Sequence, residues 1–233
     1  MRVKQVLKER ALMLYAQPIH NREGEGYHEI LTRMRCGDSV IMPDQFIPLI
    51  VQFNLSQRFD MLVLETLFSV LHQHPGQRFS VNLLPATLMQ KDSAVQIIAL
   101  FQRYAVSPDL ITIEVTEEQA FSNADISQQN LEALRAFGCA IAIDDFGTGY
   151  ANYERLKHLQ ADIIKIDGCF VRDILTDPLD AIMVKSIVEM ARAKQMSVVA
   201  EYVESEPQKA RLLELGVNYL QGYLVGKPRP LGE

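Results

Sequence analysis

Short apolar runs recur along the chain, and segments whose apolar residues have helical spacing lie between them. The clearest runs, which predict strands, are 78–84, 110–116, 139–143, 162–166 and 197–203. Strands that alternate with helices are typical of a parallel sheet. The spacing indicates about seven or eight such units, which favours a closed β/α barrel over an open doubly wound sheet. With no repeat or linker in the sequence, we expect residues 1–233 to form one domain.

Helix signals agree with this assignment. Apolar residues share one helical face at Phe59, Val63 and Leu67, and the same spacing recurs in 131–137 and 184–191. Gly138 and Gly216 follow two of these segments as expected of helix C-caps, and 205–208 has the sequence of a capping box. The N-terminal residues predict a helix that leads into a strand.

Polar side chains interrupt the apolar runs, and burying such groups is costly unless something pairs with them. The five clearest interruptions are Asn82, Glu114, Asp144, Lys165 and Glu201. They are separated by 32, 30, 21 and 36 residues, which is close to the length of one β/α unit. In a barrel they would therefore meet at the C-terminal rim of the strands, where barrel enzymes carry their active sites.

Crowded carboxylates repel one another, so a cluster of this kind requires cations or protons. Oxygen ligands suit Mg²⁺ or Mn²⁺, and the adjacent Asp144 and Asp145 could bridge two such ions above a phosphate. Lys165 could orient the attacking water or stabilise charge on the phosphate. The alternative is structural: Asn82 could end a strand simply to make a turn, and Lys165 could be the salt-bridge partner of Glu114 or Glu201.

Composition narrows the possible functions. The net charge of −6 and the absence of basic runs argue against binding to a DNA or RNA duplex. The three cysteines form no C-x-x-C pair, which fits a reducing cytosol. No segment reaches the roughly 20 apolar residues of a membrane span, so we expect a cytoplasmic domain that makes no membrane contact itself. Residues 145–147 have the sequence of a kinase metal motif, but the other kinase motifs are missing from the sequence, which argues against a kinase. No H-E-x-x-H motif occurs, which argues against a zinc protease.

At these residues the sequence resembles the EAL-domain family of bacterial cyclic diguanylate (c-di-GMP) phosphodiesterases, over nearly the whole chain. The matching segments are YAQPI at 15–19, EILTR at 29–33, SVNL at 80–83, IEVTE at 113–117, DDFGTGY at 144–150, KID at 165–167, AEYVE at 200–204 and QGY at 221–223. The resemblance implies a modified TIM-type (β/α)8 barrel with one antiparallel strand. It also implies hydrolysis of c-di-GMP to linear 5'-pGpG with two Mg²⁺ or Mn²⁺ ions, and inhibition by Ca²⁺.

The resemblance implies a role for each matching side chain. One ion would be held by Glu29, Asn82, Glu114 and Asp144, and the second by Asp144 and Asp145. Lys165 would be the catalytic lysine, Glu201 would bind metal or its water, and Glu117 would anchor the loop that starts at Asp144. The positions around the substrate would be Gln17, Leu31, Arg33, Asp167, Glu204 and Gln221.

Two residues depart from the family pattern without removing a ligand. Ile30 replaces the alanine of the Glu-Ala-Leu signature, and Tyr202 replaces a glycine. Either change could alter rate or substrate fit. By resemblance we also expect a homodimer that pairs near the loop after Asp145. An anchor of the full-length protein in the inner membrane is compatible with this expectation.

Two other functions remain open on the sequence. One is a catalytically idle receptor for the dinucleotide or a protein partner, although the ligand set is intact. The other is a barrel enzyme of the enolase type that acts on carboxylate substrates.

Overall fold

The computed structural model describes residues 3–37, 39–117, 125–147 and 160–231. Its ten-stranded sheet closes on itself through the pairing of the first two strands. The eight barrel strands are β1 (Leu12–His20), β2 (Gly26–Cys36), β4 (Phe79–Asn82), β5 (Ile111–Thr116), β6 (Ala140–Phe146), β7 (Ile163–Ile166), β8 (Ser197–Ala200) and β9 (Tyr219–Gln221). Two short strands lie outside the barrel proper: β3 (Ser39–Ile41) pairs antiparallel with β2, and β10 (Arg229–Pro230) pairs antiparallel with β1.

Strand direction confirms the predicted modified barrel. β1 pairs antiparallel with both of its barrel neighbours, β2 and β9. Each of the other barrel pairs, from β2–β4 round to β8–β9, is parallel. The C-terminal ends of seven strands therefore lie at one rim, together with the N-terminal part of β1.

Helices surround the barrel. Their bounds are α1 (Val3–Glu9), α2 (Pro43–Gln52), α3 (Ser56–Val70), α4 (Pro85–Leu88), α5 (Ser93–Tyr104), α6 (Asp125–Phe137), α7 (Cys169–Arg172), α8 (Pro178–Ala193) and α9 (Glu206–Leu215), with 3-10 turns at Leu71–Gln73 and Pro108–Leu110. The predicted capping box at Ser205 is present, and Gly138 and Gly216 have the left-handed φ of 117° and 96° expected after helices. Within the described residues, no helix has the length and apolar character needed to cross a bilayer.

The predicted strands are all present, but their ends differ from the sequence estimate. The run at 78–84 stops at Asn82, because Leu84 caps a helix that begins at Pro85. The run at 197–203 stops at Ala200, because Tyr202 has a left-handed φ of 55°. The run at 139–143 continues to Phe146, so both aspartates lie inside the strand. The runs at 110–116 and 162–166 begin one residue later than predicted.

The apolar core has two parts. The larger part fills the space between the barrel and its helices, where Val184, Ile187, Val188 and Ala191 of α8 are buried as predicted. The smaller part lies inside the barrel and consists of Ile19, Tyr27, Ile163, Val199 and Tyr219. We call these five residues the barrel floor.

Candidate metal centre and cleft

The site is built on the barrel floor by strand alternation, which places residues i and i+2 on the same face. Along four strands, one such step leads from a residue of the barrel floor to a polar residue, and in β8 that polar residue directly follows the end of the strand. The pairs are Tyr27 and Glu29, Ile163 and Lys165, Val199 and Glu201, and Tyr219 and Gln221. With Glu114 and Asp144 from β5 and β6, these polar groups form a layer above the floor. We call Glu29, Glu114, Asp144, Asp145, Lys165 and Glu201 the charged layer.

An irregularity in β6 accounts for the two adjacent aspartates. Neighbouring residues of a strand normally point to opposite faces. Here the register with β7 shifts between Ile143 and Phe146, and Asp145 adopts a left-handed φ of 54°. A bulge of this kind redirects a side chain, and aspartate tolerates the conformation better than most residues. Both carboxylates therefore reach the same site.

The carboxylates form two groups that share one residue. Glu29, Glu114 and Asp144 each bring one oxygen within 4.8 Å of the others, and Asp144, Asp145 and Glu201 do the same. The structure thus brings together all of the predicted carboxylate ligands. Asp144 belongs to both groups, as expected of a bridging ligand.

Lys165 is the internal cation of this layer, and it is fully buried. Its Nζ lies 3.2 Å from Glu29, 2.8 Å from Glu114, 2.9 Å from Asp144 and 2.9 Å from Glu201. The predicted structural alternative, a lysine paired with carboxylates, is therefore part of the observed geometry.

One lysine does not neutralise the layer. An ammonium has three protons to donate, and it faces four carboxylates at close range. With Asp145 included, the layer carries an excess of four negative charges when every group is ionised. Asp144 Oδ1, although close to Lys165, has no hydrogen-bond partner among the described residues. The donor set therefore fits divalent cations, which prefer carboxylate oxygens.

The electrostatics show the same imbalance. Burial and repulsion from Glu29 hold the pKa of Glu114 well above its ordinary value. Burial raises the pKa of Glu201 to about 8, although Lys165 acts in the opposite direction. Burial and the charge of Asp144 raise the pKa of Asp145 to about 6. Without added cations the layer relieves its repulsion by retaining protons.

Burial alone would lower the pKa of Lys165, but the surrounding carboxylates, led by Asp144 and Glu114, outweigh it and hold the pKa well above the usual value. The side chain is therefore a permanent cation at neutral pH. Its chemistry is that of a charge and a hydrogen-bond donor.

Amide side chains complete the layer. Asn82 Nδ2 donates to Glu29 Oε1 at 2.8 Å and to Glu114 Oε2 at 3.3 Å, which leaves its carbonyl oxygen available as a ligand. Gln221 Nε2 donates to Glu29 Oε2 at 2.6 Å and to Gln17 Oε1 at 3.3 Å. Amides thus fix the orientation of carboxylates that come from different strands.

Glu117 lies beside the loop that follows the paired aspartates. Its Oε2 accepts a hydrogen bond of 2.8 Å from the backbone N–H of Gly147. This contact matches the anchoring role that the resemblance implies. The rest of that loop, at 148–159, lies outside the described residues, as does the predicted dimer contact there.

A cleft of about 530 Å³ opens beside the charged layer. All six predicted substrate positions line it, namely Gln17, Leu31, Arg33, Asp167, Glu204 and Gln221. Within the described residues the guanidinium of Arg33 makes no ion pair, and it lies 5.5 Å from the ring of Tyr15. The cleft therefore has a cation on one side and carboxylates at its base.

Two aromatic residues of the cleft were not predicted as site residues. Tyr202 and Tyr223 are 52% and 60% exposed. Tyr202 packs closely on Gly168, where an added Cβ would lie 2.3 Å from the ring, and Arg172 lies 5.0 Å from the ring centroid. Tyr202 was noted as a departure from the family pattern that could alter rate or substrate fit, but its isolated position in the sequence gives no sign of these contacts.

A buried carboxylate outside the layer was also missed. Asp60 of α3 accepts hydrogen bonds from the backbone N–H of Leu84, at 2.9 Å, and from the hydroxyl of Thr87. It thereby fastens the start of α4, directly after the strand that carries Asn82. The sequence offered one sign of this residue, because Asp60 is an acidic residue within the amphipathic segment that forms α3.

Taken together, the fold and site define a class: a β/α barrel with one reversed strand and a rim of carboxylates, amides and a buried lysine suited to divalent cations. The chain belongs to the EAL domain family, whose model matches residues 2–228.

Comparison with known proteins gives relatives within that family. The chain is 60% identical over 235 residues to a protein of Escherichia coli (strain K12) named probable cyclic di-GMP phosphodiesterase PdeA. It is 44% identical over 235 residues to cyclic di-GMP phosphodiesterase PdeF of the same organism. Each match covers 99% of this chain and 32% of the relative, so the chain spans about a third of their length.

The fold matches solved structures as well. A structure described as PaMucR phosphodiesterase in complex with c-di-GMP superposes with a TM-score of 0.89 at 34% identity, covering 98% of this chain and 96% of that one. The Xanthomonas citri FimX EAL domain superposes with a TM-score of 0.90 at 21% identity, covering 98% and 92%. The second likeness concerns the fold alone.

Proposed function

We propose that this chain hydrolyses one phosphodiester bond of c-di-GMP, giving linear 5'-pGpG, with two Mg²⁺ or Mn²⁺ ions. The observation that carries the proposal is the charged layer, in which two carboxylate groups share Asp144 beside a buried lysine and an open cleft. Relatives named as cyclic di-GMP phosphodiesterases supply the choice of substrate.

The donor set divides into two positions. Glu29, Asn82, Glu114 and Asp144 would hold one ion, and Asp144 and Asp145 would hold the other. Glu201 would hold the second ion or its water. Bound in this way, a pair of divalent ions supplies a nucleophilic water and neutralises charge on the phosphate.

The side chains of this chain would then do three things. Lys165, as a permanent cation, would orient the attacking water and stabilise the negative charge that builds up at phosphorus. Arg33 would bind a phosphate oxygen from the open side of the cleft, since its planar fork matches phosphate geometry. Glu117 would keep the β6 loop in place through Gly147.

The remaining cleft residues would position the dinucleotide. Gln17, Leu31, Asp167, Glu204 and Gln221 would contact the substrate or support those that do. Of the two departures from the family pattern, Ile30 is 3% exposed, belongs to the core around the barrel and alternates with Glu29, so it does not enter the cleft. Tyr202 does line the cleft and is the departure expected to affect substrate fit.

A turnover assay tests this proposal. Purified chain is incubated with c-di-GMP and Mn²⁺, Mg²⁺ or Ca²⁺, and the products are separated by chromatography. We expect linear dinucleotide with Mn²⁺ and Mg²⁺. We expect little with Ca²⁺, which prefers more ligands at longer distances and would inhibit.

Glu29→Ala should abolish turnover while the fold is retained, and Glu189→Ala, at an exposed position of α8, serves as the matched control. Tight calorimetric binding of c-di-GMP by the wild-type chain without turnover would replace the proposal with the idle receptor. No binding and no turnover would reject both.

Three further points belong to the same proposal. We propose a cytoplasmic domain within a longer protein, a placement compatible with an anchor of that protein in the inner membrane. The domain itself would have no duplex DNA or RNA partner and no membrane contact. We also propose a homodimer. Light scattering with and without substrate tests the last point, and a monomer throughout would reject it.

A further inference from the structure

Five buried polar atoms of the barrel interior lie without a hydrogen-bond partner among the described residues. Two of them, Asp144 Oδ1 and Gln221 Oε1, belong to the carboxylates and amides described above. The other three are the hydroxyl of Tyr27, the hydroxyl of Ser80 and Oε1 of Glu114. The three residues are 5%, 0% and 0% exposed. Buried polar groups are nearly always hydrogen-bonded, so unpartnered ones on the neighbouring strands β2, β4 and β5 call for a partner that the protein atoms do not supply.

Strand alternation places these atoms beneath the proposed metal ligands. Tyr27 precedes Glu29 by two residues on β2, and Ser80 precedes Asn82 by two residues on β4, so both side chains point into the barrel. Ser80 is in register with Glu29 across the sheet, and Asn82 is in register with Glu114. Tyr27 is held in the barrel floor by an edge-on contact with Tyr219, at 5.9 Å between ring centroids.

The chemistry of the three groups gives the direction of hydrogen bonding. The charges of Glu114, Lys165 and Glu29 all act on the hydroxyl of Tyr27, which therefore lies near the charged layer. A phenol carries a proton that it can donate. Ser80 can donate as well, and Glu114 Oε1 can only accept when the carboxylate is ionised.

The other oxygen of Glu114 is already occupied. Glu114 Oε2 accepts hydrogen bonds from Lys165 at 2.8 Å and from Asn82 at 3.3 Å. A donor from below at Oε1 would fix the plane of the carboxylate, which these two bonds on one oxygen do not.

We propose that Tyr27 and Ser80 are positioning residues which hold one internal water against Glu114 Oε1, and that this water orients Glu114 as a ligand of the divalent ion. Two hydroxyls and one carboxylate oxygen give the water the two to four polar partners that internal waters have. Partners behind metal ligands typically change metal affinity by about 10- to 100-fold when removed.

The proposal rests on the metal site proposed above, and not on the identity of the substrate. The test measures Mn²⁺ binding by calorimetry and thermal unfolding of the metal-free protein, for the whole chain and without substrate. The variants are Tyr27→Phe, Ser80→Ala and the double variant. Tyr219→Phe is the matched control, because its ring packs on Tyr27 but its hydroxyl is not among the unpartnered atoms.

We expect Tyr27→Phe to weaken Mn²⁺ binding about 10-fold, and Ser80→Ala to weaken it less. Because both hydroxyls share one water, the double variant should lose about as much as the larger single loss. Tyr219→Phe should bind Mn²⁺ as the wild type does. A high-resolution structure of the Mn²⁺-bound chain should contain a water between Tyr27 and Glu114.

Two results would overturn the proposal. In the first, Tyr27→Phe unfolds at a higher temperature than the wild type and binds Mn²⁺ with the wild-type affinity. The hydroxyl would then be an unsatisfied buried group that does not position Glu114. If the two single losses add in the double variant, the hydroxyls do not share a water. Absence of Mn²⁺ binding by the wild type would instead reject the proposed metal site, which keeps the two failures distinct.

Discussion

The charged layer and the barrel floor have opposite compositions, and on β2, β7 and β8 a floor residue precedes a charged one by only two positions. The floor contains Ile19, Tyr27, Ile163, Val199 and Tyr219, packed as a small core. The layer above it crowds five carboxylates around one lysine. One strand step of about 7 Å thus separates a region that favours folding from one that opposes it.

The contrast in composition shows how the barrel tolerates a site that destabilises the metal-free fold. Like charges in a buried layer destabilise the metal-free fold, and apolar packing directly beneath keeps the strands in register. If this account holds, substitutions in the layer should change metal binding and activity strongly, and substitutions of the purely apolar side chains of the floor should change stability alone.

The largest effect is expected for Lys165→Met, which removes the cation of the layer and keeps the side-chain length. Turnover of c-di-GMP at saturating Mn²⁺ should fall about 10³-fold, within the range for loss of a group that acts directly in catalysis. The metal-free variant should also unfold at a lower temperature than the wild type, because the carboxylates lose their shared partner. Near-normal turnover would contradict the role of Lys165.

A smaller effect is expected at the cleft, where Tyr202 lies against Gly168. A Cβ added by Gly168→Ala would lie 2.3 Å from the Tyr202 ring, so the variant should lose about 1 to 3 kcal/mol in urea unfolding. In a Tyr202→Gly background, the same alanine should cost much less, because the ring is gone. Equal costs in both backgrounds would show that the ring does not occupy the space above Gly168.

Asp60 tests whether a buried carboxylate outside the layer behaves as a single titrating group. Burial raises its pKa from 3.8 to about 7, against the hydrogen bonds of Thr87 and Leu84. The native state therefore binds this proton more tightly than the unfolded state between those pH values. The contribution of Asp60 to stability is complete below about pH 4 and is lost as the pH rises through about 7.

Asp60→Asn removes this titration while keeping an oxygen acceptor. We expect the stability of the variant relative to the wild type to increase between pH 5 and pH 8, by up to a few kcal/mol, in urea unfolding with Mn²⁺ held constant. A difference between the two proteins that does not change with pH would contradict the raised pKa. Both proteins carry the same charged layer. Its titration therefore cancels when the change in unfolding free energy with pH is compared between the variant and the wild type.

The smallest effect is expected in the floor itself. Ile19 is fully buried, and Ile19→Val should lower the free energy of unfolding by about 0.5 to 1.5 kcal/mol. The Mn²⁺ affinity should stay within twofold of the wild type by calorimetry. A large loss of affinity would show that floor and layer are more tightly coupled than their separate compositions indicate.

The sequence predicted part of this arrangement for identifiable reasons. Asn82, Glu114, Asp144, Lys165 and Glu201 stand out because each interrupts an apolar run late in a strand, and the barrel then brings them together. Glu29, Gln17 and Arg33 do not stand out in this way, since the β1–β2 hairpin has mixed polarity. They were found through the family resemblance alone.

Other features depend on local geometry that residue patterns do not express. The extension of β6 through Asp144 and Asp145 requires the bulge and the left-handed φ of Asp145. The early end of β8 follows from the left-handed Tyr202. Tyr27 and Ser80 lie two residues before Glu29 and Asn82, so the sequence already places each pair on the same face of its strand. That their hydroxyls are buried without partners becomes visible only in the structure.

The most direct test of the metal centre is anomalous diffraction from crystals of this chain soaked in Mn²⁺. We predict two peaks per chain, about 4 Å apart, with Asp144 contacting both and Glu114 contacting one. A charged layer that stays fully paired with Lys165, without a peak at saturating Mn²⁺, would contradict the account.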